Sequence, residues 1–512
     1  MGGMVTTRNF HPHPPFPPQG GRSFIELPFP ASLNSYNFFI TPLWEPHVSH
    51  DATTDNPYTR GMAQFVAGLT FDAIPSEVIT RVKLLMLDAL GCALYGADLE
   101  WSRMLQTTLS RVDTSRACGV WGTALKLSAP HAALVNGTQV QGFELDDVHR
   151  AGVLHVGAVV LPSLIPITEM NLGVSGKDFL TAAVAGYEIG PRVGMTMGPF
   201  HLGQGWHSGA TVGAFAGAAS SASALKLNVE QTIDALGIAG TFAGGIMAVQ
   251  YGSMVKRMNH GRSAQNGLTA GMLASVGYTG IKNVFESEYG GFCTTFSRQR
   301  EWIKWEELTK GLGTNWETMM DSLKFYSAAA SNHTTLDAIR IMREKKPFTA
   351  DDVEKIVVHG SQVTKDHVFW KYEPSGMTNM QFCMPYIVAT LLLEGDFFVD
   401  QCVEEKMADP ERIKHSQKVE FIAEPEITAM GLRYYVRVEI FLKDGTRMEE
   451  TVEAQRGSET KFATEAQVVD KFEKLVKHVF PMSQVEQIRD TILGLEKLDD
   501  AAKLAKLMVK AK

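Results

Sequence analysis

Apolar side chains recur every three or four positions through most of this chain, the spacing that gathers them on one face of an α-helix. Pro75-Ser76-Glu77 opens one such segment, in which Val78, Val82, Leu85, Ala89 and Cys92 fall on a single face. Asn228, followed three residues later by Gln231, has the spacing of a capping box ahead of another apolar run. The stretches GATVGAFAGAASSASA (209–224) and GIAGTFAGG (237–245) are unusually rich in small residues. A helical glycine costs up to about 1 kcal/mol relative to alanine, so its repeated use predicts buried helices packed at close range. The pattern is helical from Tyr58 to about residue 320.

Beyond residue 320 the period shortens. EKIVVHG (354–360) and KVEFIA (418–423) read as strands, and Val436, Val438, Ile440 and Leu442 alternate ahead of Asp444-Gly445, a hairpin signal. The chain returns to helical spacing after residue 460, with VVDKFEKLVKHVF and AAKLAKLMVK too small to form a core of their own. The expected fold is mainly α. A large all-helical domain is built from residues 58–320 and completed by the C-terminal helices of 457–512, with an α+β lid domain at 321–456 inserted between them. Residues 1–57 are proline-rich and aperiodic (PHPPFPPQGG), and read as a flexible, dispensable extension.

Composition narrows the function. A 512-residue chain with 45% hydrophobic and 20% charged residues can bury a sizeable core, so a globular protein is expected. Its net charge of −8 offers no basic field for nucleic acid, and no stretch is long and apolar enough for a membrane span. Five scattered cysteines without a Cys-x-x-Cys pair argue against a disulfide framework or structural zinc and suit a reducing compartment. The cytoplasm is the expected location. Arg8 and Arg22, which precede the first acid Glu26, make the mitochondrial matrix the alternative.

Four segments carry candidate chemistry. GFELDDVHRAGVLHVGAVVLP (142–162) places Glu144, Asp146, Asp147, His149 and His155 at a helix end, where an imidazole can exchange protons and a carboxylate can fix its tautomer. Capping acids at a solvated helix end would give the same pattern. GWHSGATVG puts His207 at a helix N-terminus, where the dipole would lower its pKa; a core histidine is the plainer reading. QYGSMVKRMNHGRSAQNG clusters Lys256, Arg257, His260 and Arg262 beside Asn259, a cationic concentration suited to polycarboxylates, or else an exposed basic turn. DSLKFYSAAASNHTTLDAI sets Lys324, Tyr326 and His333 where the texture changes, so Lys324 could approach from the far wall of an inter-domain cleft.

In order and spacing, ELDDVH…LH, GWHSGA, YGSMVKRMNHG and LKFY…H resemble the MmgE/PrpD family, which includes 2-methylcitrate dehydratase and cis-aconitate decarboxylase. The resemblance runs from Tyr58 to the C-terminus, and residues 205–293 look most like members related to fungal cis-aconitate decarboxylase. It implies a homodimer with no metal or organic cofactor, an active site between helical domain and lid, and a small polycarboxylate substrate. The family's active-site acids fall on Glu144–Asp147, its histidines on His155 and His207, its lysines on Lys256 and Lys324, and a recurring lid histidine on His333. Two positions depart from the pattern. Val148 stands where some decarboxylases have threonine, and Ser327-Ala328 where relatives often have a cysteine-containing turn.

The expected division of labour has His155 and His207 transferring protons, Asp146 or Asp147 orienting an imidazole, and Lys256 and Lys324, as ordinary charged lysines, clamping carboxylates. Dehydration of a 2-methylcitrate-type acid is the leading expectation, ahead of cis-aconitate decarboxylation and then epimerisation. Two readings from other classes are a magnesium-dependent, terpene-synthase-like helical enzyme using Asp146-Asp147, and a binder that holds a tricarboxylate without turnover.

Overall fold

The structure is a computed structural model that describes residues 56–510 apart from 171–172, 252 and 433. The expected extension, 1–57, therefore lies outside the described residues except for Asn56 and Pro57, and Pro57 already opens the first helix, α1 (Pro57–Gly68).

The chain is mainly helical with one small mixed sheet. Pro75 stands immediately before α2 (Ser76–Gly96), where its fixed φ is tolerated and its missing N–H costs nothing. All five apolar positions read from the sequence on this helix are buried. On it pack α3 (Ala129–Val140), α4 (Gly157–Glu169) and α5 (Gly176–Gly203), and on these in turn α6 (Gly213–Ala224) and α8 (Val255–Ser275), with α7 (Val229–Phe242) against both. Asn228 and Gln231 form the reciprocal capping box that their spacing predicts at the start of α7. Small residues do allow close crossings. A Cβ on Gly261 of α8 would stand 2.2 Å from the carbonyl oxygen of Leu134 on α3, and one on Gly137 2.6 Å from the Gly261 Cα. No larger residue fits that contact without separating α3 from α8.

Two short strands, β1 (Val148–His149) and β2 (Asp321–Ser322), pair antiparallel with Val148 opposite Ser322. This pairing sets the segment of the paired acids beside the segment that carries Lys324. Farther along, β3 (Val353–Gly360), β4 (Val419–Ala423), β5 (Val436–Leu442) and β6 (Arg447–Val452) form a sheet of order β4-β3-β5-β6, parallel between β3 and β4 and otherwise antiparallel. The β5–β6 hairpin turns at Gly445, whose φ of 86° suits glycine, and Val436, Val438, Ile440 and Leu442 all face inward. Helix α9 (His333–Lys345) packs on β5 and β6. The C-terminal α10 (Glu465–Val476) returns to lie on α2, and one apolar core runs from Met62 to Met508.

Candidate active site

The α3 helix tightens into a 3₁₀ turn at Gln141–Phe143 and stops at Glu144, which takes the left-handed conformation with φ 58°. A non-glycine residue there is strained, and strain of this kind persists only where the surroundings hold it. The holding groups are cations. Lys256 Nζ donates to the Glu144 carboxylate, Arg257 Nη1 donates to the same oxygen at 2.7 Å, and Lys324 Nζ reaches the other oxygen at 3.4 Å. Burial pushes the Glu144 carboxyl up, but Lys256, Lys324 and Arg257 together outweigh it and hold the group well below its ordinary range. Three positive charges thus share one negative charge in a nearly closed setting, and the surplus is available to an anionic ligand.

Lys256 and Arg257 lie in the first turn of α8, where the helix dipole disfavours cations and favours anions. Arg257, Asn259 and His260 are buried, so this is no exposed basic turn; Arg262 points outward and bonds Gln265. Nor is Lys256 the ordinary lysine expected from the sequence. Burial lowers its ammonium from 10.5 to about 8 even though Glu144 supports the charge. Its Nζ lies 4.9 Å from the centre of the Phe382 ring, a contact that adds attraction for the charged form.

Three imidazoles gather next to these cations. His260 stands edge-to-face with His155 at 4.9 Å and with His207 at 5.6 Å between ring centroids. Burial drives the His207 pKa down to about 3, with Lys256 and His155 adding to the effect, and His260 falls well below its ordinary value for the same first reason. The expected mechanism for His207, a helix dipole, is thus replaced by desolvation: the helix it precedes, Ser208–Thr211, is one turn long. Both His260 ring nitrogens, His207 Nδ1 and Asn259 Nδ2 are buried with no hydrogen-bond partner among the described residues. Buried polar atoms are seldom left unpaired, and four in one place mark a site built for a ligand. Gly209 makes the cluster possible, because a Cβ there would lie 2.1 Å from His260 Nε2.

The paired acids divide. Asp146 Oδ2 lies 3.1 Å from His155 Nδ1, within ion-pair distance but without the alignment of a hydrogen bond. Asp147 turns the other way, accepting from Gly157 N at 2.9 Å and Tyr187 Oη at 3.1 Å. A side-chain hydrogen bond joins it to the Asp321 carboxyl, which burial and the Asp147 charge push well above its ordinary range. Asp147 therefore caps α4 and shares a proton instead of facing substrate. Both acids are fully buried, and among the described residues no group of three or more His, Cys, Asp or Glu side chains is placed to hold a metal ion, as a terpene-synthase-like reading needs.

Other sequence candidates are spread out. His149 accepts from Gly152 N through Nδ1 and meets Glu317 through Nε2 at 3.2 Å, so both nitrogens serve the framework. Tyr326 gives its hydroxyl proton to Asp337 at 2.7 Å. His333 stacks edge-on against Tyr326 and bonds the Ala328 carbonyl through Nε2; burial lowers its pKa to about 3, with Lys324 adding to the effect. Sequence reasoning missed two supports. Gln381, fully buried, accepts from Arg257 Nη2 at 3.0 Å and donates to the Phe143 carbonyl at 2.9 Å. Lys471 of α10 donates to Asp88 and, at 2.6 Å, to the Leu145 carbonyl, pinning the backbone between Glu144 and Asp146. Asp88, whose carboxyl burial raises to about 7 despite Lys471, completes this support. An isolated lysine in an amphipathic helix gives no local sign of such a role.

Comparison with known proteins bears on what this geometry does. The sequence profile of the MmgE/PrpD N-terminal domain matches residues 60–303, and that of the MmgE/PrpD C-terminal domain matches 326–497. The chain is 34% identical over 484 residues to a cis-aconitate decarboxylase of Aspergillus terreus, covering 90% of this chain and 97% of the relative. It is 26% identical over 466 residues to the cis-aconitate decarboxylase of Mus musculus, covering 88% and 93%. A mitochondrial 2-methylcitrate dehydratase of Yarrowia lipolytica is 21% identical over 486 residues, covering 90% and 91%.

Proposed function

The chain belongs to the MmgE/PrpD family, and from that premise we propose that it is a carboxy-lyase that decarboxylates cis-aconitate or a close unsaturated tricarboxylate. This reverses the order expected from the sequence, because the relatives at 34% and 26% identity are named decarboxylases whereas the named dehydratase stands at 21%. The observation that carries the reading is the meeting of Lys256, Arg257 and Lys324 with the neutral imidazoles His207 and His260 beside His155.

The chemistry fits those groups. Loss of carbon dioxide from the methylene carboxylate leaves its bonding pair on carbon, and the adjacent double bond spreads that charge toward a remaining carboxylate. Cations placed where the charge develops stabilise it, as Lys256, Arg257 and Lys324 would. A proton then goes to the carbon next to that carboxylate and yields a five-carbon unsaturated diacid; His155, with Asp146 at ion-pair distance, is the donor we assign, with His207 and His260 shaping the reacting face. The conjugated acid is its own electron sink, so we propose a reaction that needs neither metal nor organic cofactor. We further propose a homodimer in which the sheet-bearing part closes as a lid over the helical part, with Lys324 and Gln381 as its contributions to the site.

The test is to incubate the purified protein with cis-aconitate, 2-methylcitrate and citrate and follow carbon dioxide and water loss by mass spectrometry, with and without EDTA. Carbon dioxide and the five-carbon diacid from cis-aconitate, unaffected by EDTA, are expected. Water loss from 2-methylcitrate without decarboxylation would establish the dehydratase instead, and binding of all three acids without turnover would establish the non-catalytic binder.

A further inference from the structure

A second cluster of cations lies outside the site described above. Helix α9 presents Asp337, Arg340 and Glu344 at helical spacing to a cavity of about 290 Å³, closed on the other side by Arg456, Lys461 and Gln467. Gln467 is the third residue of α10, so the N-terminal turn of that twelve-residue helix borders the cavity. Asp337 is buried, and its two oxygens are already taken by Tyr326 Oη and the Arg456 backbone N–H, each at 2.7 Å. Arg340 has a partner in Asp396 at 3.4 Å, in a pair exposed enough to exchange. Arg456 and Lys461 have no ion pair among the described residues, and Arg456 Nε is buried without an acceptor. Arg340, Arg456 and Lys461 thus face the two acids Asp337 and exposed Glu344 across this cavity, and two of the three cations have no ion pair among the described residues.

Arg456 also touches the segment that carries Lys324. Its guanidinium carbon sits 4.5 Å from the centre of the Phe325 ring and 5.6 Å from that of Tyr326. The next residue, Gly457, accepts from Leu323 N at 2.8 Å. Leu323 and Phe325 flank Lys324, whose ammonium lies at Glu144. A carboxylate or phosphate is a stronger partner for a guanidinium than an aromatic face, because it accepts two parallel charged hydrogen bonds.

We propose that this cavity is an effector site for a small dianion, a dicarboxylate or inorganic phosphate, that draws Arg456 from Phe325 and so shifts Lys324 in the active site. The site differs from the one that binds substrate, and the proposal holds whichever reaction the protein catalyses.

The test uses the full chain at constant ionic strength. Succinate, inorganic phosphate and, as a monoanion control, acetate are titrated by calorimetry into wild type, Arg456→Gln, Lys461→Gln and Lys256→Met, and each is added to steady-state assays. Expected is saturable binding of one dianion per chain with at least a twofold change in KM or kcat. Affinity should fall at least tenfold in Arg456→Gln and measurably in Lys461→Gln, and should survive Lys256→Met; Lys461→Gln should keep basal kcat within about twofold, whereas Arg456→Gln, which lacks the contact with Phe325, should show the change in KM or kcat without any dianion. Tighter binding of succinate identifies a dicarboxylate effector, and tighter binding of phosphate identifies phosphate. Lys461 is exposed, so its variant keeps the test valid if Arg456→Gln misfolds. The proposal is overturned by no saturable binding, by binding lost only in Lys256→Met, or by binding unchanged in both cavity variants, which would mean an adventitious ion only.

Discussion

Gly209→Ala tests the histidine cluster directly. The added methyl carbon would sit 2.1, 2.4 and 2.7 Å from Nε2, Cε1 and Cδ2 of His260, against the roughly 3.5 Å of ordinary contact, so ring and helix must part by about 1.4 Å. The backbone cannot easily yield, because Ser263 Oγ of α8 holds the Gly209 carbonyl at 2.7 Å. The ring must therefore turn, and its neighbours on the active-site side are His155 and His207. Overpacking of this kind costs about 1–3 kcal/mol of stability, but a misplacement near 1 Å in a reacting constellation can cost about 10²-fold in rate. The variant should fold, melt a few degrees lower, and lose kcat far beyond its loss of stability. Gly244→Ala is the control, since nothing lies within 4 Å of a Cβ there. Adding His260→Ser to Gly209→Ala should restore the melting temperature without restoring kcat. A Gly209→Ala enzyme with kcat within twofold of wild type would refute the cluster's role.

Other outcomes follow from the same geometry. His155→Ala should lower kcat by about 10²–10⁴-fold with the fold intact by circular dichroism, and His207→Ala should also depress kcat; near-normal kcat in both would remove the assignment. Lys256 is charged below its pKa and neutral above it, so kcat/KM, which reports the free enzyme, should fall as pH rises through about 8. Lys256→Met should abolish that limb and raise KM. Lys471→Met strands the buried Asp88 carboxyl and should destabilise by about 3–5 kcal/mol, measured by denaturant unfolding, whereas Lys471→Met with Asp88→Asn should recover most of the loss.

Local pattern made much of this legible. The face of α2, the capping box at Asn228 and the hairpin at Gly445 are all set by neighbours within a few residues, and there the structure follows the sequence. The cations and imidazoles stood out because several chemically active residues fell in short windows. What was not legible depends on distant partners. Asp146 and Asp147 look equivalent in sequence, and only the β1–β2 pairing, which brings in Asp321, decides that one meets an imidazole while the other shares a proton. The lowered pKa expected of His207 holds, but its cause and the ordinary charge expected of Lys256 do not, for one reason: burial, invisible in a motif, dominates both. Gln381 was missed because a lone amide carries no signature until its two partners are known.

The tie between Lys471 and Asp88 joins residues 383 positions apart. A ribosome adding about 5–20 residues each second needs roughly 20–75 s to travel that far. By the end of that interval the emerging protein holds its acids, its imidazoles and the three cations Lys256, Arg257 and Lys324, but not the ammonium group that fixes the carbonyl between Glu144 and Asp146. Competence is thus conferred by the last helices to be made. A message cut short before Lys471 is translated would yield a chain bearing every reacting group yet unable to hold them, and so a target for degradation instead of a partial enzyme.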